Sequence, residues 1–440
     1  MTKFDLDERL PAGKTLAYSI QHMVLFIANS AIIPVIMAKS LGLENDAISG
    51  MLLRTFFLCG VLSILQTRFG HRYPIIDGPS GLWLSVWINL STVTSALGGD
   101  FAELRAHIEF SMLISGALVI ALGLSGLMKY IARLFTPLVN GVFLVLMPIQ
   151  LSKSMVSGML GTVYGGSGID KGSFAAFWVT VASMIIINIF GAPFVRSIAI
   201  LIAIAIGWVF AVAIGIGDFG DMSGLTSVFV LPELFSWGAP TFHSGILLTH
   251  LLASFLIFAN IIASMQGMAD LLEDDLTEKK LNRGTIFFGV STIATGAFAT
   301  IGFVPFATSI GIVRMTENAA RRPFYIGCAA TVILGLLGPV GLFFAAIPPA
   351  VGYGAILVLF GVIVKQGTDY FKKAQLTERR GFALGISMLT GTGIMMQPVS
   401  LFEGLPSIIE PFVSNGLLIG IFLAIILEQA LKERAPRKSG

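Results

Sequence analysis

Apolar stretches of bilayer-spanning length, separated by short polar loops, fill almost the whole chain. Thirteen lie near 15–37, 48–66, 80–97, 108–128, 131–151, 174–194, 197–216, 246–268, 284–301, 323–345, 350–365, 381–396 and 413–431. An α-helix needs roughly 20 mostly apolar residues to cross the hydrocarbon core, so these runs predict transmembrane helices. A fourteenth is predicted near 303–320, where FVPFATSIGIVRMT is apolar but broken by Pro305 and too polar for a plain span. The stretch YPIIDGPSGLW at 73–83 is broken in a similar way ahead of the third run. Proline and glycine are tolerated at membrane depth where the freed backbone faces protein or a cavity. The pattern predicts an all-α polytopic membrane protein of fourteen transmembrane segments, with broken helices at spans three and ten.

Composition agrees with that pattern. Of 440 residues, 55% are hydrophobic and only 12% are charged, and the mean hydropathy is +0.86. Soluble domains carry about 25% charged residues, so an ordinary soluble enzyme is excluded. The 49 glycines suit a bundle in which small residues let helix backbones approach. No basic stripe interleaves with aromatics, so no nucleic acid partner is expected. Cys59 and Cys328 sit in apolar runs and read as packing residues. The opening MTKFDLDERLPAG has no apolar core of a signal peptide, so the first span is expected to direct insertion.

Charge placement gives an orientation. Fourteen spans put Lys39, Arg105, Lys153 and Lys171 on one side. The other side receives both termini and the basic loops with Arg68/Arg72, Lys129/Arg133, Lys279/Lys280/Arg283, Arg321/Arg322, Lys372/Lys373 and Arg379/Arg380. The positive-inside rule then predicts a multi-pass protein of the plasma or inner cell membrane with both termini cytoplasmic. Arg54 fits neither set, because it lies inside the second run; it reads as snorkelling to the outer surface or as a partner of Asp77.

An internal repeat is visible. Phe26-Ile27-Ala28-Asn29 in span one matches Ile257-Phe258-Ala259-Asn260 in span eight at an offset of 260 − 29 = 231. Pro74 and Pro305 share that offset, 305 − 74 = 231. Pro137-Leu-Val-Asn-Gly141 before VFLVLM is similar to Pro349-Ala-Val-Gly-Tyr-Gly354 before AILVLF. Halves of seven spans must be inverted relative to one another, because seven is odd. Inverted repeats with interrupted helices at matching positions point to a secondary transporter with its site at the midplane.

Four features carry a resemblance to the nucleobase–ascorbate transporter family, also called nucleobase–cation symporter family two. Gln21-His22 resembles the family's Gln-His pair, and Tyr73-Pro74-Ile75-Ile76-Asp77-Gly78-Pro79-Ser80 its Pro-x-x-x-Gly-x-Ser. The family signature Gln/Glu-Asn-x-Gly-x-x-x-x-Thr is present in altered form as Thr308-Ser309-Ile310-Gly311 through Thr316. Pro348-Pro349-Ala350-Val351-Gly352-Tyr353-Gly354 resembles the stretch opening the family's twelfth span. The likeness covers essentially the whole chain and is greatest to a bacterial branch associated with purines. The resemblance implies two inverted seven-span repeats, with short strands opening spans three and ten. Residues 14–128 and 246–345 would form a core (substrate) domain, and 129–217 and 348–432 a gate domain that also dimerises. It further implies a base bound between spans three, eight and ten, and elevator-type movement coupled to H+ or, as the alternative, Na+, with no other cofactor or metal. Where the family typically carries a span-eight glutamate, this chain has Asn260, with Ser264 one turn on; a second register would place Gln266 there and Asp270 a turn later. The Gln/Glu-Asn opening is Thr308-Ser309, and the aromatic after the third-span serine is Gly81, with Trp83 two residues on.

Each candidate has two readings. Asp77 is the acidic residue placed well inside a predicted membrane region, whereas Glu109 and Glu428 lie near span ends. A carboxylate at the bilayer centre costs ~3 kcal/mol or more, so Asp77 reads as a proton-coupling or base-binding group, or as an acid at the span-three half-helix N-terminus. The amide of Asn260 offers donors and acceptors to a base edge, or to a neighbouring helix. Ser80, Gly81 and Ala307-Thr308-Ser309 sit where half-helices should start, so hydroxyls and free backbone N–H groups there could meet a base, or simply cap. His22 could relay protons or rest as a buried neutral imidazole. Trp83 could stack on a planar ligand or pack. The acidic run LLEDDLTEKK at 271–280 reads as a solvated loop, which leaves little for a membrane-enzyme reading. The function expected is import of a nucleobase, a purine before uracil, by H+ symport. A uracil permease and a small-anion transporter of the same inverted-repeat fold are the alternatives.

Overall fold

A computed structural model describes residues 4–162, 168–220 and 227–431. The ends of the chain lie outside it, including residue 432 at the close of the expected gate segment. Seven helices among the described residues have the length and apolarity to cross a membrane, from Ala12–Ser40 to Pro349–Lys373. Ala199–Ala213 and Gly416–Ala430 are shorter apolar helices. The runs at 284–301 and 381–396 fall on helices Glu278–Ala297 and Glu378–Met395, and 323–345 is divided between Arg321–Leu334 and Gly338–Ala345.

Local chemistry fixes where these helices begin and break. Thr136, Thr277 and Thr377 accept backbone N–H groups three residues on through their hydroxyls, and Asp100 and Asp170 cap in the same way with carboxylates. Gly126 and Gly161 end their helices at φ 70° and 75°. The first helix is interrupted at Ala31, between Ala12–Ser30 and Ile32–Ser40. Pro34 lacks the N–H that would bond Ser30 and its ring crowds that carbonyl. Helices then pack through glycine. A Cβ on Gly116 would lie 2.7 Å from the Gly289 carbonyl oxygen, and one on Gly289 would lie 2.7 Å from that of Gly116. Phe101–Ser125 and Glu278–Ala297 therefore touch backbone to backbone.

Two three-residue strands cross in the middle of the bundle. β1 (Asp77–Pro79) pairs antiparallel with β2 (Phe303–Pro305), with Asp77 opposite Pro305, Gly78 opposite Val304 and Pro79 opposite Phe303. Each strand ends in a proline, which cannot donate to a helix and favours an extended residue before it. Helix Gly81–Ala96 follows β1, and helix Thr308–Thr316 follows β2. Side-chain hydroxyls complete the strand bonding: Asp77 N donates to Ser63 Oγ (2.9 Å) and Ile76 N to Ser309 Oγ (3.0 Å). Phe306 N donates to the Ile76 carbonyl (2.7 Å), and Ser80 N to that of Gly302 (3.0 Å). Non-helical backbone is thus satisfied within protein. The strands also revise the repeat. Pro305 corresponds to Pro79, at 305 − 79 = 226, and not to Pro74, which lies ahead of β1.

Candidate functional site

The two strand–helix junctions form one wall of a cavity of about 170 Å³. Pro79–Leu82 and Val304–Thr308 supply that wall, and Asn29, Ile257 and Asn260 add two amides and an aliphatic chain. Helices Pro137–Leu160 and Pro349–Lys373 face them with Phe143, Met147, Phe360 and Gln366. A Cβ on Gly81 would stand 3.3 Å from Met147 Sδ and 3.4 Å from a Phe360 ring carbon, so glycine permits this approach. Ala307, Thr308 and Gln366 are exposed, and Gly311 and Gly361 border open space. The cavity therefore opens toward the C-terminal ends of Thr308–Thr316 and Pro349–Lys373, where Arg314, Lys372 and Lys373 lie.

Its lining is mainly apolar, with a few uncharged polar groups set into it: no ionisable side chain is among the described lining residues. The backbone N–H groups of Gly81, Ala307 and Thr308 have no acceptor among the described residues. They are the orphan donors expected where a helix starts, and they present positive partial charge to the cavity. Asn260 Oδ1 accepts from Ser264 Oγ (3.2 Å), while its Nδ2 makes no hydrogen bond within the described protein. Asn29 Nδ2 donates to the Leu25 carbonyl (2.8 Å), which leaves its oxygen free. Phe306 and Phe360 add aromatic surface. Donors, acceptors and rings around a small uncharged space suit a flat polar molecule.

Of the residues singled out from sequence, Ser80, Gly81, Asn260, Ala307 and Thr308 come together here, and the others do not line the cavity. Ser80 Oγ is occupied as an N-cap, accepting from Leu82 N (3.2 Å) and Trp83 N (3.5 Å). Ser264 stands behind Asn260, its single hydroxyl proton shared between Asn260 Oδ1 and the nearer Pro305 carbonyl (3.0 Å), which ties helix Ser244–Leu271 to β2. Ser309 is turned back onto Ile76 N. Trp83 is buried, stacked on His250 at 5.2 Å between ring centres. His22 is buried edge-on against Phe324. Asp77 is 1% exposed, and neither carboxylate oxygen has a hydrogen-bond partner among the described residues. Gln266, the alternative to Asn260, is exposed and donates to Asp270 (2.6 Å), away from the cavity. Sequence reasoning missed Phe143, Met147, Phe360 and Gln366. The signal for the last two was spacing: Leu359, Phe360, Ile363 and Gln366 recur on one helix face. Glu109, read as lying near a span end, is wholly buried in helix Phe101–Ser125.

Comparison with known proteins identifies the chain at the level of family. Residues 13–400 match the family model Xan_ur_permease, described as a permease family. The "Putative purine permease YwdJ" of Bacillus subtilis is 28% identical over 429 residues, covering 94% of this chain and 96% of that protein. The xanthine permease of the same organism is 25% identical over 420 residues, covering 94% and 93%. These relatives are named as permeases, and the protein is a transporter and not an enzyme. Among solved structures, the transmembrane domain of the cyanobacterial bicarbonate transporter BicA superposes with a TM-score of 0.62. The two are 14% identical, over 93% of this chain and 96% of that one. At that identity the likeness concerns the fold, which is a mostly helical transporter fold. With its match covering most of the chain, this protein belongs to the Xan_ur_permease family, the nucleobase–ascorbate transporters.

Proposed function

We propose that this protein imports a nucleobase, a purine in preference to uracil, by H+ symport with an elevator-type movement. The observation that carries this reading is the meeting, in one cavity, of the Asn260 amide with three backbone N–H groups unpaired among the described residues, where no described lining residue is ionisable. A neutral ring with carbonyl and N–H edges matches those groups. Relatives named for xanthine and uric acid support a purine. The buried, unpartnered carboxylate of Asp77 is the candidate carrier of the coupled proton, with H+ preferred to Na+.

The same reading assigns fourteen spans in two inverted halves. Residues 14–128 and 246–345 form the core, and 129–217 and 348–432 the gate, through which two copies pair. In support, one wall of the cavity comes from the expected core and the other from the expected gate. Sliding one against the other would carry the bound molecule with the strand–helix junctions. With both termini cytoplasmic in the cell membrane, the basic end at Lys372 and Lys373 faces inward, and the cavity is open to the cytoplasm.

A small-anion substrate is the competing reading, favoured by the free N–H groups at two helix starts and by the fold shared with a bicarbonate transporter. The lack of a cationic side chain among the described lining residues weighs against it. Uptake of radiolabelled xanthine, hypoxanthine, uracil and bicarbonate by transporter-deleted cells, with and without a protonophore, tests the proposal. Purine accumulation abolished by the protonophore is expected. Uptake of bicarbonate alone, or purine uptake indifferent to the protonophore, would overturn it.

A further inference from the structure

Arg54, which fitted neither side of the membrane in the charge pattern, lines a second cavity that shares no residue with the first. This cavity, of about 390 Å³, lies at the N-terminal ends of helices Asn45–Phe69 and Phe101–Ser125 and is walled by residues 227–237. That wall is pinned in place. Val230 N donates to the Leu336 carbonyl (2.9 Å), Gly338 N to that of Val228 (2.9 Å) and Phe235 N to that of Ala297 (2.7 Å).

Three N–H donors on its lining residues have no partner among the described residues. They are Arg54 Nε, Arg105 Nε and Trp237 Nε1, all buried beneath the cavity surface, so a ligand would meet the arginines through their remaining guanidinium edges. Arg54 is 6% exposed and makes a single hydrogen bond, from Nη2 to the Ala299 carbonyl (3.3 Å). Arg105 donates from Nη1 to the Leu41 carbonyl (2.7 Å). The carboxylates of Asp46 and Glu233 line the same cavity and are exposed. Among the described residues neither carboxylate forms an ion pair with either arginine. Buried guanidiniums ordinarily pair with carboxylates in close, often bidentate contact. Glu109, buried behind Trp237, accepts from Trp237 N (3.4 Å) and lies within electrostatic reach of both arginines without bonding either. Charges of both signs thus face one space without closing on each other. A lone anion would meet the carboxylates, and a lone cation the guanidiniums. A neutral ring with carbonyl oxygens on one edge and N–H groups on another satisfies both sets.

We propose that this cavity is a second binding site for a small neutral heterocycle of the cyclic amide, imide or ureide class, held between Arg54 and Glu233. The class follows from the cavity's own groups; that the ring is also the transported molecule rests on the function proposed above.

Ser236 lines the cavity and is exposed, whereas the native Cys59 and Cys328 are fully buried. A Ser236→Cys variant of the purified full-length chain therefore offers one accessible thiol, whose rate of labelling by a maleimide can be followed with added xanthine, hypoxanthine or uracil. At least one ring should slow labelling in a saturable way. Adding Arg54→Gln or Glu233→Gln should weaken that protection about tenfold or more, as expected for losing a hydrogen bond to a charged group. Adding Asn260→Ala should leave it intact. The proposal is overturned if no ring protects, if protection survives both charge-removing changes, or if Asn260→Ala abolishes it, since labelling then reports on the first cavity. Should Arg54→Gln fail to fold, as judged by size-exclusion profile, the exposed Glu233 variant decides alone. Protection without purine uptake in cells would sink the transport reading and leave this site standing; uptake without protection would do the reverse.

Discussion

Replacing Gly78 by alanine isolates how the strand pair shapes the first cavity. Gly78 is the centre of β1, opposite Val304. A Cβ there would lie 2.6 and 2.7 Å from two Phe306 ring carbons and 3.2 Å from Ser30 Oγ. Carbon atoms pack at roughly 3.5–4.0 Å, so the ring must withdraw by about 1 Å. Ser30 and the strand block retreat into the protein, and the cavity lies on the other side of the ring. The methyl group therefore takes its space from the ligand. Overpacking costs ~1–3 kcal/mol where nothing yields. Here the ring yields into open space, so most of that cost should appear as weaker binding. A loss of ~1–2 kcal/mol corresponds to a KM raised about 5- to 30-fold. Uptake kinetics for the transported base, with thermal unfolding of the purified protein alongside, provide the assay. A Phe306→Leu change in the Gly78→Ala background should recover much of the loss, giving a coupling energy of ~0.5 kcal/mol or more in the double-mutant cycle. The reasoning is refuted if Gly78→Ala keeps the wild-type KM, or if its defect is unchanged by trimming Phe306.

Asn260→Ala removes the cavity's free amide donor but leaves Ser264 its bond to the Pro305 carbonyl, so the strand anchor survives. Its KM should rise about 5- to 13-fold, from the loss of ~1–1.5 kcal/mol of hydrogen bonding, at unchanged protein level; an unaltered KM would remove Asn260 from base recognition. Asp77→Asn is nearly isosteric at a site with no hydrogen bond to lose, so it should fold, lose uphill accumulation and retain exchange of base across the membrane. Accumulation at the wild-type level would reject the proton-carrying role. In the loop after helix Ser244–Leu271, burial alone would raise the pKa of Asp274, but hydrogen bonds from Lys280 and Tyr73 hold it below the ordinary carboxylate range. A depressed folded-state value stabilises above the unfolded pKa, and the effect is lost as pH falls through the folded one. Both side chains are about a third exposed, so less than ~1 kcal/mol is expected. Asp274→Asn should lower the melting temperature slightly at neutral pH and not at all in strong acid. An equal deficit at both would assign the loss to packing.

The parts of the fold that depend on run length and backbone chemistry were legible in the chain, and the parts that depend on angle were not. Proline-bearing segments at 73–83 and 303–320 marked where helices stop, and the strands lie inside them. Of the two registers open for the span-eight position, Asn260 lies on the cavity, while Gln266 lies on the exposed side with Asp270. The error in pairing Pro74 with Pro305 shows the limit of a shared offset. Asn29 and Asn260 do sit 231 apart, but the connection to β1 is longer than that to β2, so the strands fall at 226. Direction was harder. Successive helical residues turn by about 100°. Gly81 and Leu82 face the cavity, and Trp83, one step further, is carried round onto His250. The same step separates the exposed Thr308 from Ser309, whose hydroxyl closes on Ile76 N. Residue type at a half-helix start therefore predicts chemistry, but the phase of the first turn decides which side chain faces the ligand. At such a start the backbone N–H groups keep their direction along the axis whatever that phase. This is why Gly81, Ala307 and Thr308, two of them with side chains that offer no hydrogen bond, contribute the unpaired donors of the cavity, while the more reactive-looking Asp77 and Trp83 stand behind its wall.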